Sequence, residues 1–134
     1  MRNVCSVIPL IIILCPLVCE AKKIPLTVSS LVPSAQGTVE TGKDRNNNTK
    51  VKIEIEHLAK PERLSPPKSS YVVWVQERGA EPVNEGQLKV DNKLQGSFET
   101  VTPSKNFEVF VTAEDDPDVK APSGPEVARA SVSP

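Results

Sequence analysis

Thr49–Leu58 reads TKVKIEIEHL and alternates between apolar and charged side chains. In an extended chain Val51, Ile53 and Ile55 fall on one face, and the intervening lysine and glutamates fall on the other. A period of two with one wet face predicts a half-buried antiparallel strand. This stretch assigns the chain to the all-β class.

The residues before this strand predict its partner. Gly37–Thr41 (GTVET) is a second short β-branched run, and the connection 42–48 (GKDRNNN) consists of residues that favour turns. The two runs therefore predict a hairpin with a polar tip. Further upstream, Lys23–Leu31 (KIPLTVSSL) predicts a first strand, which must lie at an edge because Pro25 lacks a backbone N–H.

The residues after the strand predict the centre of the sheet. Lys60–Ser70 holds three prolines and is expected to be a crossover loop. Tyr71–Glu77 (YVVWVQE) is apolar on both faces, which predicts a central strand with Trp74 in the core. The alternative is that 71–75 form an exposed apolar patch for a partner. Gly79–Gly86 is expected to be a turn-rich connection.

Four further short runs complete the pattern, separated by turn residues and by the long polar loop Glu114–Pro125. These runs are Gln87–Asp91, Ser97–Thr102, Asn106–Ala113 and Glu126–Val132. About seven or eight short strands without an amphipathic helix predict an immunoglobulin-like antiparallel β-sandwich. A partly open barrel is the alternative.

The first 21 residues have a different character. Val4–Val18 is almost wholly apolar, follows the single charge of Arg2, and ends near the small residue Ala21. This layout predicts a secretory signal peptide over 1–21, with a β-sandwich domain over 22–134. The apolar stretch is shorter than the roughly twenty residues of a spanning helix. We therefore expect a periplasmic or secreted protein.

An alternative to cleavage after Ala21 is lipid modification of Cys19. As the lipidated first residue of a bacterial lipoprotein it would tether the same domain to a membrane surface, and this is the one way in which we expect membrane contact. Leu17 and Val18 precede it where such sites carry a small residue, so the match is poor. An uncleaved anchor is the third possibility.

Composition excludes several classes of function. The chain has 16 Lys and Arg against 17 Asp and Glu, with a formal net charge of −1, so it lacks the basic excess that phosphate-backbone binding needs. We expect no nucleic-acid partner. Cys5, Cys15 and Cys19 all lie in the leader, so the domain has neither a disulfide nor a thiolate ligand.

The sequence contains no recognisable catalytic motif. His57 is the only histidine, and neither a second histidine nor a cysteine of the domain can join it in a metal or catalytic site. No serine sits in a Gly-x-Ser-x-Gly elbow, and no Gly-rich phosphate loop is present. We expect a protein that is not an enzyme.

One acidic run could bind a cation. Glu114, Asp115, Asp116 and Asp118 could offer carboxylate oxygens to Ca²⁺, which takes six to eight oxygen ligands. The alternative is a solvated loop in which Asp116-Pro117 sets a turn. Calcium is the only cofactor that the sequence suggests, and we expect no other.

A second polar segment supports weaker hypotheses. Asp44–Asn48 resembles the start of an EF-hand loop, but Thr49 replaces its glycine at the sixth position and Ile55 its glutamate at the twelfth. That hypothesis fails. Asn47-Asn48-Thr49 matches the glycosylation triplet at an expected surface turn.

Four segments in the second half of the chain resemble one family. They are Tyr71–Val75 (YVVWV), Pro82–Leu88 (PVNEGQL), Phe107–Glu114 (FEVFVTAE) and Ala121–Val127 (APSGPEV). This half of the chain resembles the extracytoplasmic C-terminal domain of bacterial anti-sigma-K factors. The resemblance implies a β-sandwich outside the cytoplasmic membrane. Family members carry a cytoplasmic sigma-binding segment before this domain, and only three residues precede the apolar leader in this sequence, so we expect no sigma-factor inhibition.

Together these observations predict an exported, non-catalytic β-sandwich of the bacterial envelope. It is expected to be a binding or structural module whose partner is an unknown protein or envelope component. A calcium-dependent β domain using the 114–118 loop is the alternative.

Overall fold

The computed structural model describes residues 11–12 and 22–134. The predicted cleavage site after Ala21 and the candidate lipidation site Cys19 lie outside the described residues. Within them, no helix has the length and apolar character needed to cross a bilayer.

The described residues form nine β-strands and one short 3-10 turn at Pro61–Arg63. The strands are β1 (Lys22–Pro25), β2 (Thr27–Val28), β3 (Gln36–Lys43), β4 (Thr49–Glu56), β5 (Ser70–Glu77), β6 (Val83–Val90), β7 (Gly96–Thr102), β8 (Phe107–Glu114) and β9 (Glu126–Val132). The all-β prediction is therefore confirmed.

All strand pairs are antiparallel, in the order β1-β3-β4-β7-β6-β5-β8-β9-β2. β6 and β7 join through only two residue pairs, Lys89 with Ser97 and Val90 with Gly96. This narrow join divides the order into a first half-sheet (β1, β3, β4, β7) and a second half-sheet (β6, β5, β8, β9, β2).

The first strand predicted from the sequence is split between the two half-sheets. β1 pairs with β3 and β2 pairs with β9, and the chain changes from one to the other at the buried Leu26. The two ends of the strand order are thus consecutive in the chain, and the sheet nearly closes. Pro25 lies at the end of β1, an edge strand, as predicted.

The main hydrophobic core is formed jointly by the two half-sheets. Val51, Ile53 and Ile55 of β4 are 0–1% exposed and share one cluster with Val73 and Val109 of the other half-sheet. The charged residues between them in β4 stay at least partly exposed. The predicted alternation is confirmed, and burial of this kind contributes about 1.5–3 kcal/mol for each large aliphatic side chain.

The largest boundary error concerns the start of β6, and the polar loop predicted from Glu114 also begins one residue later, because Glu114 ends β8. The sequence predicts a connection over Gly79–Gly86, but β6 already begins at Val83. The register between β5 and β6 shifts at Val73/Trp74, and Gly86 takes a φ of 138° opposite Val73. Glycine adopts this backbone without a Cβ clash, so a turn-type residue lies inside an irregular strand pair.

Tyr71 fixes the crossover loop to the core. Its ring is fully buried, and its hydroxyl donates a hydrogen bond to the Ala59 carbonyl at 2.5 Å. Burial, with a smaller effect of the Glu62 charge, raises the pKa of Tyr71 to about 12. The phenol therefore stays protonated over the ordinary pH range.

Candidate functional site

The outer face of the second half-sheet is dry, in contrast to the usual solvated side of an antiparallel sheet. Trp74 of β5 lies opposite Phe110 of β8, and Phe110 lies opposite Arg129 of β9. The two aromatic rings are nearly parallel, at 17°, with centroids 6.4 Å apart. Val72 completes this outer cluster, in which each member is at most 4% exposed.

This arrangement confirms that Trp74 is a buried core residue and shows to which cluster it belongs. Tyr71–Val75 is buried on both faces, as predicted, so the alternative of an exposed apolar patch is wrong. Trp74, however, belongs to the outer cluster and not to the main core. A residue on this face can be buried only if another segment covers it, and the cover is the loop between β8 and β9.

Arg129 borders the outer cluster on the β9 side. Its guanidinium carbon lies 4.4 Å from the centroid of the Phe110 ring, within the range of a cation–π contact. Its Nε donates to Glu126 Oε1 at 2.8 Å, and its Nη1 forms an ion pair with Glu108. These carboxylates hold the guanidinium against the ring.

Residues 115–125, which we call the strap, cross the outer cluster. Val119 packs on the cluster, and the Asn84 side-chain amide donates to the carbonyls of Pro117 and Val119, both at 2.9 Å. Lys68 forms an ion pair with Asp115 at 3.5 Å. The strap is therefore attached both to β6 and to the segment that leads into β5.

Glu114, the last residue of β8, is the principal anchor of the strap. Its side chain is 1% exposed and accepts hydrogen bonds from two hydroxyls and two backbone N–H groups. The Ser123 hydroxyl donates to Oε1 at 2.5 Å and the Ser123 N–H to Oε2 at 3.1 Å. The Gly124 N–H is shared between the two oxygens, at 3.0 and 3.1 Å.

Thr112 connects this anchor to the outer cluster. Its hydroxyl donates to Glu114 Oε2 at 2.6 Å and accepts a hydrogen bond from Trp74 Nε1 at 2.8 Å. Because a hydroxyl has one hydrogen and two lone pairs, it can serve both partners. The indole, the threonine, the carboxylate and the strap therefore form one continuous buried network.

Gly124 is required where the strap returns to the sheet. A Cβ at this position would overlap the Ala113 carbonyl oxygen. The Ala113 N–H, in turn, donates to the Pro125 carbonyl at 2.9 Å. The backbone must approach β8 closely for the Gly124 N–H to reach Glu114, and only glycine permits that approach.

The hydrogen bonds decide the charge state of Glu114. Burial alone would raise the pKa of this carboxyl, but the donors of Ser123, Thr112 and Gly124 lower it below its ordinary value. The group is therefore a carboxylate at neutral pH, and its negative charge is balanced by dipoles.

The four predicted calcium ligands have different environments. Glu114 is buried with its oxygens occupied by protein donors, whereas Asp115, Asp116 and Asp118 are not buried. Asp116 Oδ1 accepts the Asp118 N–H at 2.9 Å, which shapes the turn. Within residues 11–12 and 22–134, no three histidine, cysteine, aspartate or glutamate residues are grouped as metal ligands would be. Calcium binding here stays a prediction.

The remaining sequence candidates lie elsewhere. His57 follows β4, is exposed and has a φ of 55°. At the tip of the β3–β4 hairpin, Asp44 Oδ1 accepts the N–H groups of Asn46 and Asn48 at 2.9 and 2.8 Å. These bonds form the predicted turn, and the one from Asn48 is the main reason that the pKa of Asp44 is lowered.

Sequence reasoning missed three members of the network: Thr112, Ser123 and Gly124. A usable signal existed for the first, because Phe110, Thr112 and Glu114 continue one period-two face of β8. That face places Glu114 next to the aromatic cluster and separates it from the solvated aspartates that follow.

Comparison with known proteins adds no relative. No protein-family model matches the chain, and no curated protein matches it at a significant level.

Proposed function

We propose that the chain is an exported, non-catalytic protein of the bacterial envelope that acts as a binding or structural module. The observation that carries this proposal is that the largest buried polar network anchors a loop and is not open to a substrate. The hydroxyls of Thr112 and Ser123 both donate to the Glu114 carboxylate, which is buried away from solvent. A general acid or base must be able to contact its substrate. A carboxylate that anchors a loop needs no such access.

The proposed architecture is an immunoglobulin-like β-sandwich. Two half-sheets that share one core and join at two residue pairs support this assignment. The near closure through β1 and β2 favours the alternative, a partly open barrel. A crystal structure would separate them, since the facing sheets of a sandwich lie about 10 Å apart with aligned strands.

The proposed location is the periplasm or the cell exterior. The apolar run Val4–Val18, which follows Arg2 and ends near the small residue Ala21, supports this location. Mass spectrometry of the mature protein tests this point. A first residue of Lys22 supports a cleaved signal peptide, a lipid-modified Cys19 supports a lipoprotein, and an intact Met1 argues against both.

The resemblance to anti-sigma-K factors enters the proposal only for architecture and location. Its four segments correspond to β5, β6, β8 and the strap with the start of β9. These are the elements that surround the outer cluster. We carry over only the extracytoplasmic location and the β-sandwich.

The binding role is tested by crosslinking from defined positions. A photo-reactive residue at Asp116, on the strap, or at Asn46, on the hairpin tip, would be compared with one at Glu99, on the open face of the first half-sheet. We expect a discrete crosslinked envelope component from a loop position, and competition by the purified unlabelled domain. Equal, non-competed labelling from all three positions would contradict the proposal.

A calcium-dependent role is the alternative proposal. The observation in its favour is that Asp115, Asp116 and Asp118 lie unburied on one loop whose ends are fixed. Thermal melts in calcium and in chelator separate this role from a calcium-independent one, because an ion that binds only the folded protein raises its midpoint.

A further inference from the structure

We propose that the open edge of β7 is an interface between two copies of this chain, in which Phe98–Thr102 of one copy pairs antiparallel with the same residues of the other about a two-fold axis. This interface goes beyond the proposed binding role and does not depend on it.

One side of β7 is open over most of its length. On its other side β7 pairs with β4 throughout, from Gly96 opposite Ile55 to Thr102 opposite Thr49. With β6 it shares only the pairs at Gly96 and Ser97. Among residues 22–134, no strand pairs with this side of β7 beyond Ser97. A row of unpaired backbone groups on a strand edge is a template for another strand.

The β6–β7 turn shows which backbone groups face the open side. The Asp91 N–H donates to the Gln95 carbonyl at 2.9 Å, so these two residues face each other across the hairpin. Because the backbone groups of successive residues point to alternate sides of a strand, Ser97 also faces β6. Beyond Ser97, the N–H and C=O groups of Glu99 and Val101 point to the same side and reach the open edge.

The β3–β4 hairpin gives the same assignment independently. The Asp44 N–H donates to the Asn48 carbonyl at 3.0 Å, so the even-numbered residues of β4 face β3. The odd-numbered residues of β4 therefore face β7, where each lies opposite an even-numbered residue, as Val51 does opposite Thr100. The odd-numbered residues Glu99 and Val101 of β7 are left to the open side.

These free groups fix the register between two copies. When Thr100 lies opposite Thr100 of the second copy, Glu99 lies opposite the second copy's Val101, and each such pair exchanges both of its N–H···O bonds. A shift in one direction brings the two Glu99 side chains opposite each other, and like charges at that position are unfavourable. A shift in the other direction brings Glu99 opposite Pro103, which has no N–H.

The side chains on the outer face suit this register. In β4, Lys52 lies opposite Glu99 and Lys50 lies opposite Val101. Across the interface one row then reads Lys52, Glu99, Val101 and Lys50, with the last two from the second copy, so no like charges are neighbours. Val101 is 49% exposed in the single chain and is partly covered in the pair. A second copy therefore satisfies both the backbone and the charges of this edge.

The other open strands carry features that discourage pairing. β1 begins with two lysines and ends at Pro25, and β2 has only two residues. β6 pairs irregularly with β5, and its Asn84 side chain is bonded to the strap. Lysine, proline and irregular pairing protect edge strands from unwanted partners. Phe98–Thr102 (FETVT) contains neither lysine nor proline, so β7 is the edge suited to a regular partner strand.

The experiment is disulfide crosslinking of the full chain, with Cys5, Cys15 and Cys19 replaced by serine so that one introduced cysteine is the only thiol. In Thr100→Cys the two cysteines face each other at a Cα separation of about 4.5 Å, within disulfide range. With diamide as the oxidant, we expect a crosslinked dimer to form several-fold faster than in Lys50→Cys, an exposed position one strand away. Equal rates at the two positions would overturn the proposal.

A mixing experiment tests the register without changing Thr100. A mixture of Glu99→Cys and Val101→Cys chains places unlike positions opposite each other, so it should crosslink faster than either variant alone. A mixture that crosslinks no faster than the separate variants would contradict this register.

Charge variants test the interface with a matched control. In the Thr100→Cys chain, Val101→Glu places a carboxylate opposite Glu99 of the second copy, and the crosslinking advantage should be lost. Val83→Glu makes the same change at an exposed valine of β6 and should leave the rate unchanged. Adding Glu99→Lys to Val101→Glu pairs opposite charges and should restore crosslinking. An unchanged rate in Val101→Glu, or no rescue by Glu99→Lys, would argue against the two-fold β7 pair.

Discussion

The outer faces of the two half-sheets are both formed by antiparallel strands, but one is exposed to solvent and the other is covered by a loop. On the first half-sheet Lys52 extends into solvent between Glu54 and Glu99, at 3.3 and 3.8 Å. On the second half-sheet the outer face holds Trp74 and Phe110, which a loop covers. A sheet face can therefore carry large apolar side chains where a cover is anchored over them, and in this protein the anchor is a buried carboxylate.

Removing the indole should destabilise the fold most. Trp74→Ala deletes the largest side chain of the outer cluster and the donor to Thr112, so we expect a loss of about 3–5 kcal/mol in the free energy of unfolding. Urea denaturation measures it. Lys52→Ala, the matched change on the open face, should leave the midpoint unchanged. Similar losses in both variants would mean that the two faces do not differ.

Two glycine-to-alanine substitutions, each of which adds one methyl group, test the difference between the covered face and the open face. Gly124→Ala forces a Cβ into the Ala113 carbonyl, so we expect a destabilisation of about 1–3 kcal/mol. Gly42→Ala, in β3, places its Cβ in open space, and we expect no loss. Thermal melts of the two variants provide the test. A harmless Gly124→Ala would show that the strap does not approach β8 as described.

High pH should weaken the fold through the buried phenol of Tyr71, in addition to any loss from the ion pairs of the open face. Because the pKa of Tyr71 is raised to about 12, the unfolded chain loses its phenolic proton first, near pH 10. The contribution of the Tyr71 phenol to stability is therefore fully present below pH 10. It declines towards pH 12, by about 1–2 kcal/mol once partial solvent screening is allowed for. The decline should be smaller in Tyr71→Phe by the phenol's share, and a decline of equal size in that variant would assign all of it to other groups.

Calcium should have the least effect. Glu114 is occupied by protein donors, which leaves Asp115, Asp116 and Asp118 as solvated carboxylates. We expect thermal midpoints in millimolar calcium and in chelator to agree. A clear increase in calcium that Asp116→Asn abolishes would instead favour the calcium-dependent alternative.

Most of the strands could be predicted because their cause is local. In β4 the alternation of Val51, Ile53 and Ile55 with charged residues sets both the strand and its buried face. In β5 the absence of alternation correctly predicts burial on both sides. The start of β6 at Val83 could not be read in this way, because its irregular pairing with β5 depends on the partner strand.

The site is less predictable because it depends on contacts between residues that are separated in the sequence. The acidic run from Glu114 to Asp118 reads as one cluster, yet the first member belongs to the sheet and the others to the strap. Ser123 and Gly124 become donors to Glu114 only when the loop has closed. Composition cannot reveal this pairing, although the alternation from Phe110 to Glu114 indicates the face on which it lies.

The covered outer face is best tested by the exchange rate of the single indole N–H. Because Trp74 Nε1 donates to Thr112 beneath the strap, its resonance at neutral pH should exchange with solvent far more slowly than that of a free indole. In Thr112→Val, which keeps the shape but removes the acceptor, that protection should fall. An indole N–H that exchanges at the free rate in the folded protein would contradict a covered outer face.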